Sequence, residues 1–352
     1  MYNILHYVDS LDLGATTKSA ILLAKHLDRA RFLPFFAYKN VGPRSKQCLD
    51  LFGDRLFQVR DAEHFRGILA NNKIDLVHSH RSGEKHFPEV GIDYIGPKVV
   101  ETSAFGGYNP NPLIDRTLFM SRWLYRFAQG NYPHLFLNQP SRFDFLNNPI
   151  ELPTTGEKLD RLPTGKIFLG RCGRPDDGIY DDINVKAAFI LQSKGYSVHF
   201  LVVAPPPSMI DDLMKFDIPA TFIEPTVKDD TLSRFYNSVN IYCHARADSE
   251  TFGSNIAEAM VHNLAVVTHI GQPKYPGMTV YGAQTELVSH GITGYVSQYD
   301  AQEYADYVEK LINDPEERFR MGQNGAAKIM SEAYIDVIIT KLEKIYQEVL
   351  NG

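Results

Sequence analysis

What this chain has little of narrows its class before any motif is read. Only three cysteines, Cys48, Cys172 and Cys243, occur in 352 residues. They are too few and too scattered for a disulfide framework or a cysteine metal cluster, and their odd number suits a reducing compartment. No run approaches the roughly 20 apolar residues that a membrane-spanning helix needs. The opening Met1-Tyr2-Asn3-Ile4-Leu5-His6-Tyr7-Val8 lacks the basic and apolar stretches of a secretion signal, so a cytoplasmic protein is expected. Basic excess is missing too: a net charge of −6 gives no reason to expect nucleic acid or an anionic membrane as the main partner. Low-complexity tracts and repeats of solenoid period are also absent.

What is present is ample apolar material, 44% of residues against 22% charged, enough for two domains of roughly 150–200 residues. Short β-rich runs alternate with helical patterns along the whole length, which argues for α/β layering with parallel sheets. The first-half strands are expected at Asn3–Val8, Leu33–Tyr38, Ile74–His78, Lys98–Thr102, Leu118–Ser121 and Leu135–Asn138. A helix from about Lys18 to Leu27 should follow the first strand, with Ile21, Leu22 and Leu27 inward. The pattern breaks in the proline-rich stretch Asn147-Asn148-Pro149-Ile150-Glu151-Leu152-Pro153, which is read as a linker. Strands then resume at Lys166–Gly170, Val198–Val203, Thr221–Ile223, Val239–Cys243 and Leu264–Thr268, with helices at Val185–Lys194, Asp230–Asn237, Asn255–His262, Ala301–Asn313 and Tyr334–Leu350. The domains are therefore set at residues 1–150 and 151–333, followed by a final helix, 334–352.

The segment richest in chemistry is Asp248-Ser249-Glu250-Thr251-Phe252-Gly253-Ser254-Asn255-Ile256-Ala257-Glu258-Ala259-Met260. It follows a buried-strand run, so it stands at a strand's carboxyl end, where open α/β sheets bind ligands. Gly253 permits a tight turn, and Ser254 or Asn255 should cap a helix whose free amides face an anion. Glu250 lies in the loop and Glu258 in the helix's first turn, so the two carboxylates can meet different parts of one elongated ligand. Asn255 with Glu258 also spells a capping box, which needs no ligand.

This Glu-x7-Glu pair, with Phe-Gly inside it and Glu-Ala-Met closing it, is similar to the signature of retaining family 4 glycosyltransferases of the GT-B fold. Three further segments agree. Glu286-Leu287-Val288-Ser289-His290-Gly291-Ile292-Thr293-Gly294 resembles the family's E-x-V-x-x-G-x-x-G; Asn148-Pro149-Ile150-Glu151 resembles its N-P-I-D; and Asp75-Leu76-Val77-His78-Ser79-His80 resembles a strand end of its first domain. The resemblance implies two facing Rossmann-like domains with a central cleft. It implies a nucleotide-sugar donor against the second domain and a carbohydrate or lipid-linked acceptor against the first. It also implies that Glu250 touches the donor sugar, that Glu258 binds the ribose, and that the amides near Phe252, Gly253 and Ser254 meet the pyrophosphate or sugar. No cofactor or metal is expected.

A leaving nucleoside diphosphate needs positive charge. Arg171-Cys172-Gly173-Arg174 resembles the family's strand-end G-R, and Arg174 is taken as the first choice for the diphosphate, Arg171 as the second. The lysine usually found just beyond is absent from Pro175–Asp182, whose four aspartates, Asp176, Asp177, Asp181 and Asp182, read as a solvated acidic loop. In the first domain Asp9-Ser10-Leu11-Asp12-Leu13-Gly14-Ala15-Thr16-Thr17-Lys18-Ser19 lacks the P-loop glycines and resembles the family's Gly-Gly loop, with Gly14 able to bring amides to an anion. His80 is the acceptor-side candidate, with Gly106 and Gly107 as a mobile loop. Arg116, Arg122, Trp123, Tyr125, Arg126 and Phe127 interleave basic and aromatic side chains; buried aromatics explain such a stretch, and peripheral membrane contact is the alternative. Two rival functions share the fold, a nucleotide-sugar epimerase and a non-catalytic nucleotide-sugar-binding module.

Overall fold

A computed structural model describes residues 1–81, 96–271 and 281–352. The chain divides into two compact units, Met1–Pro149 with Ala333–Gly352, and Ile150–Glu332. The first unit has strands β1 (Tyr2–Ser10), β2 (Phe32–Asn40), β3 (Leu56–Gln58), β4 (Leu76–Arg81), β5 (Lys98–Ser103), β6 (Arg116–Phe119) and β7 (Phe143–Phe145). They form one parallel sheet in the order β3-β2-β1-β4-β5-β6-β7. Its helices are α1 (Ala15–His26), α2 (Ser45–Phe52), α3 (Ala62–Asn71), α4 (Arg122–Asn131) and α5 (Pro133–Asn138).

The second unit repeats the plan with β8 (Ile167–Cys172), β9 (Val198–Val203), β10 (Ala220–Ile223), β11 (Ile241–Cys243), β12 (Val266–His269) and β13 (Gly294–Ser297), parallel in the order β10-β9-β8-β11-β12-β13. Its helices are α6 (Ile183–Ser193), α7 (Pro207–Lys215), α8 (Asp229–Ser238), α9 (Ser254–Val261), α10 (Gln284–Leu287), α11 (Ala301–Asn313) and α12 (Pro315–Glu332). The last helix, α13 (Ile335–Asn351), packs on the first unit's sheet: Ile338, Leu342, Ile345 and Tyr346 join a core with Ile4, Leu22, Leu76 and Val100.

Both strand orders are those of doubly wound sheets, with the reversal between β1 and β4 in one unit and between β8 and β11 in the other. Ligands of such sheets lie at the carboxyl ends beside the reversal. Helices cover both faces of the central strands, and β9, for example, is buried throughout.

One expected strand is a helix. Leu135–Asn138 lies in α5, and the edge strand is β7 instead. A short apolar run does not distinguish the two states, and Pro133 at the first helical turn favours the helix. Phe136 then stacks on Phe143 at 4.3 Å and meets Tyr125 edge-on at 5.3 Å. The last strand of the second sheet, β13, carries the Gly294 end of the glycine-bearing segment. There φ is 159° and a Cβ would lie 2.0 Å from the Val266 carbonyl oxygen, so only glycine lets the strand pair.

Candidate active site

The carboxyl ends of β8 and β11 bring the second unit's chemistry together. After β11 the chain runs through His244 and Arg246 to Glu250, then turns into α9. The turn is contorted: Ser249 has φ 64° and Gly253 has φ 92°. At Gly253 the left-handed backbone demands glycine, and a Cβ there would press on Ile256 and Leu287. Gln284 and the chain before it hold the loop, since the Glu250 amide donates to Gln284 Oε1 at 3.0 Å and the Ala283 amide donates to the Glu250 carbonyl at 2.8 Å.

Glu250 is nearly buried, with 12% of its side chain exposed. Its Oε1 lies 3.1 Å from His244 Nε2, and His244 Nδ1 lies 2.9 Å from Thr268 Oγ1. Its Oε2 is 3.7 Å from Arg246, which also grips Asp248 at 2.5 Å. Burial alone would raise the carboxyl's pKa, but the His244 bond and the charges of Arg246 and Arg174 outweigh it and hold the group below the ordinary value. At neutral pH Glu250 is a charged acceptor rather than an acid.

Arg171, at the end of β8, is 4% exposed and lies near Glu250. Burial lowers its pKa, and its Nη1 has no hydrogen-bond partner among the described residues. A Cβ on Gly173 would lie 3.3 Å from the guanidinium, so glycine there gives it room. Arg174 is half exposed and 3.7 Å from Asp176. A buried, unpaired cation carries a far larger desolvation penalty than an exposed, paired one. Of the two arginines Arg171 is the one buried beside Glu250, and Arg174 is the one that reaches solvent.

The α9 capping expectations need correction. Gly253, not Ser254 or Asn255, is the N-cap residue, and α9 starts at Ser254 with no acidic residue in its first turn. Asn255 is already helical and donates through Nδ2 to the Cys172 carbonyl at 2.8 Å, tying α9 to the end of β8. Tyr242 clamps the same peptide, its hydroxyl lying 3.2 Å from both Cys172 N and O. Glu258, one turn in, therefore belongs to no capping box; the buried Tyr236 hydroxyl donates to its Oε2 at 2.9 Å. Phe252 is buried with 2% exposure, so only its backbone is available to a ligand.

Asp181 does not belong to a solvated loop. Its side chain is wholly enclosed, with one oxygen bonded to the Ile183 amide at 3.0 Å and the other 3.8 Å from His269 Nε2. Burial pushes its carboxyl up and pulls His269 down to about 4.

In the first unit the expected site residues are less available. The Gly14 amide donates to Asp12 Oδ1 at 2.8 Å, and Asp12 also accepts from Thr17, so a carboxylate already occupies the start of α1 where an anion was expected. His80 is enclosed in the core, 3.0 Å from His6 Nδ1 and stacked on His78 at 4.0 Å. His78 bonds Tyr346 on α13 at 2.6 Å and Thr102 at 2.8 Å. These three rings are close enough to share an ion, yet most of their nitrogens are used in this hydrogen-bonded chain. Gly106 and Gly107 sit in an anchored loop: Gly106 (φ 76°) backs onto Leu124 and Phe127, and Ser103 donates to the Gly107 carbonyl at 3.3 Å.

Sequence reading missed His244, Arg246, Gln284 and Tyr236. His244 and Arg246 precede Glu250 by six and four positions, a local signal; Gln284 lies 34 positions away and only the fold brings it in.

Residues 219–328 match the protein family described as Glycosyl transferases group 1. Over 220 residues, 60% of the chain, the sequence is 30% identical to the capsular polysaccharide biosynthesis glycosyltransferase CapM of Staphylococcus aureus. The chain spans about half of that relative's length, 53%. Among solved structures it is similar to a glycosyltransferase from Rickettsia africae (TM-score 0.76, 13% identity, 100% of this chain and 99% of that one). It is also similar to Anabaena HepE in complex with UDP and glucose (0.74, 13%, 99% and 100%) and to WaaG, a glycosyltransferase involved in lipopolysaccharide biosynthesis (0.69, 13%, 97% and 99%). At such identity these structures speak for the fold alone, and the fold is GT-B. The resemblance to glycosyltransferases read in the sequence is borne out.

Proposed function

We propose that this chain, a GT-B protein with a glycosyl transferases group 1 segment, moves a sugar from a nucleoside diphosphate donor to an acceptor hydroxyl with retention of anomeric configuration. The observation that carries the reading is the pair at the ends of β8 and β11: a buried carboxylate kept ionised, Glu250, beside a buried arginine, Arg171, whose Nη1 has no hydrogen-bond partner among the described residues. The two charges match the two ends of a glycosyl diphosphate. Arg171, with Arg174 and the first amides of α9, neutralises charge growing on the departing diphosphate. Glu250 accepts hydroxyl hydrogen bonds from the sugar and stabilises its oxocarbenium-like state, while the departing phosphate takes the acceptor's proton on the same face. Glu258, steadied by Tyr236, accepts the ribose hydroxyls. This reading requires no metal. HepE was solved with UDP and glucose, so UDP-sugars are the first donors to try, with glycan and lipid-linked acceptors.

The test is Glu250→Gln, which keeps shape and removes charge. We expect a folded protein that still binds UDP and loses most transfer, with wild-type product carrying the donor's anomeric configuration. Wild-type turnover in the variant would remove Glu250 from the chemistry. Inverted product would overturn retention, and an epimerised donor without acceptor would favour an isomerase.

A further inference from the structure

We propose that Asp181 is held as a neutral acid and, through His269, positions the Arg246–Glu250 segment of the transfer site; this rests on the role given to Glu250 above. Asp181 precedes α6 and His269 ends β12, so only the fold brings them together. Both side chains are enclosed. Their hydrogens can be placed from their partners. His269 Nδ1 bonds the Ile270 carbonyl, which only accepts, so Nδ1 carries the ring hydrogen. Nε2 faces the Arg246 amide at 3.4 Å, which only donates, so Nε2 presents its lone pair and the ring is neutral.

Asp181 Oδ2 lies 3.8 Å from that same nitrogen and has no hydrogen-bond partner among the described residues. Its Oδ1 is the occupied oxygen, accepting from the Ile183 amide at 3.0 Å and from Tyr299 at 3.4 Å. A bare carboxylate oxygen facing a lone pair is repelled by it, whereas a protonated one can donate to it. The surrounding charges agree. Lys186, the lysine that acts on Asp181, is paired with Asp182 at 2.8 Å, and Asp182 itself disfavours a second charge. Near His269, His244 is engaged with Thr268 and Glu250, and the Tyr304 hydroxyl with two backbone carbonyls. Burial raises the Asp181 carboxyl and lowers His269. One lone pair shared by two donors also explains why both approaches to Nε2 are long.

His269 holds the transfer loop at two points. Its Nε2 takes the Arg246 amide, and its carbonyl accepts from Gln284 Nε2 at 3.3 Å, while Gln284 Oε1 takes the Glu250 amide at 3.0 Å. Arg246 in turn lies 3.7 Å from Glu250 Oε2. A proton on Nε2 would expel the Arg246 amide and loosen the segment that aims Glu250. A neutral Asp181 keeps the imidazole an acceptor, so the two are positioning residues.

Asp181→Asn keeps a donor at the Oδ2 position, and Asp181→Ala removes it. The donor used is UDP-glucose, with which Anabaena HepE was solved. We expect Asp181→Asn to keep kcat within about twofold and Asp181→Ala to lower it about tenfold to a hundredfold, as for a misplaced reacting group, with UDP affinity unchanged. Nitrogen-labelled histidine in the full chain, assigned with His269→Gln, should show a bare Nε2 at His269 from about pH 6 to 8. The Arg246 and Glu250 amide resonances should move in Asp181→Ala and stay in Asp181→Asn. Asp181→Asn as slow as Asp181→Ala would show that the charge is needed, and a protonated Nε2 would show an ion pair; either overturns the proposal. Wild-type kcat in Asp181→Ala, or an equal loss of UDP binding, overturns it too. If Asp181→Ala does not fold, the tautomer and Asp181→Asn decide. The resonances are read without turnover, so the transferase reading can fail alone.

Discussion

The buried histidines of the first unit make its stability acid-sensitive, by an amount the structure allows one to work out. His6, His78 and His80 are enclosed together beneath α13. Burial first, then the neighbouring histidine charges, hold His6 and His78 well below the ordinary imidazole value, and burial takes His80 to about 3. In the unfolded chain all three titrate near pH 6.5. Below that pH the unfolded state binds the protons and the native state refuses them, so stability is complete above about pH 6.5 and falls as the pH drops toward the native values. At about pH 5 each ring costs about 2 kcal/mol, or about 6 for three. Glu101 in the same unit works the other way: burial raises its carboxyl, so it favours the native state on acidification by at most one proton. The net slope reaches about 3 kcal/mol per pH unit near pH 5, against a total stability of about 5–15 kcal/mol.

Urea unfolding followed by Trp123 emission reads this unit alone, because the chain's one tryptophan lies in it. The midpoint should fall steeply between about pH 6.5 and 5, and His80→Gln should flatten the fall by about one proton. A midpoint that stays level or rises over that range would show that the imidazoles are not held neutral in the native state, and the reasoning from burial would fail.

Two further outcomes follow from the site. Arg171→Lys should weaken binding of a nucleoside diphosphate about tenfold to a hundredfold, while sparing the nucleoside, since the lost partner is a charge-assisted bond; Arg174→Ala should show a smaller loss by the same calorimetry, and the opposite ranking would return the diphosphate to Arg174. Tyr236→Phe should keep the fold while removing the Tyr236 hydroxyl bond that positions the Glu258 carboxylate, so that preference for ribo- over 2′-deoxyribonucleotides declines; unchanged preference would mean that the ribose is held elsewhere.

Much of this arrangement is legible in sequence because short β-rich runs alternate with helices that keep their periodicity. Ala301–Asn313 is a helix as its pattern predicts, and β9 spans Val198–Val203 as expected. Glu250 stands after β11 and before α9 because the strand, the glycine turn and the helix are all local signals. What sequence hides is anything fixed by pairing across the sheet. Arg171 and Arg174 look alike in a string, and only the β8–β11 pairing shows that one is buried beside Glu250 while the other reaches solvent. Asn255 looks like a cap and is instead a brace to Cys172, a contact between residues 83 positions apart. Leu135–Asn138 fails for a different reason, being too short for its period to decide.

The braces explain why the second unit can present opposite charges side by side without their collapsing onto each other. Glu250 is taken up by His244 and Arg246, its amide by Gln284, and its turn by a glycine that no other residue replaces without strain. Arg171 is hemmed in by Gly173 below the peptide that Tyr242 and Asn255 clamp. A carboxylate already engaged gains little by swinging toward the arginine, and the arginine keeps a buried nitrogen unpaired. Part of the penalty for that burial, incurred when the chain folds, would be relieved by an anion bound at that nitrogen. Under the proposed function, binding energy would then be directed to the diphosphate, whose charge grows as the sugar leaves, where it would accelerate transfer rather than merely tighten the hold on the donor.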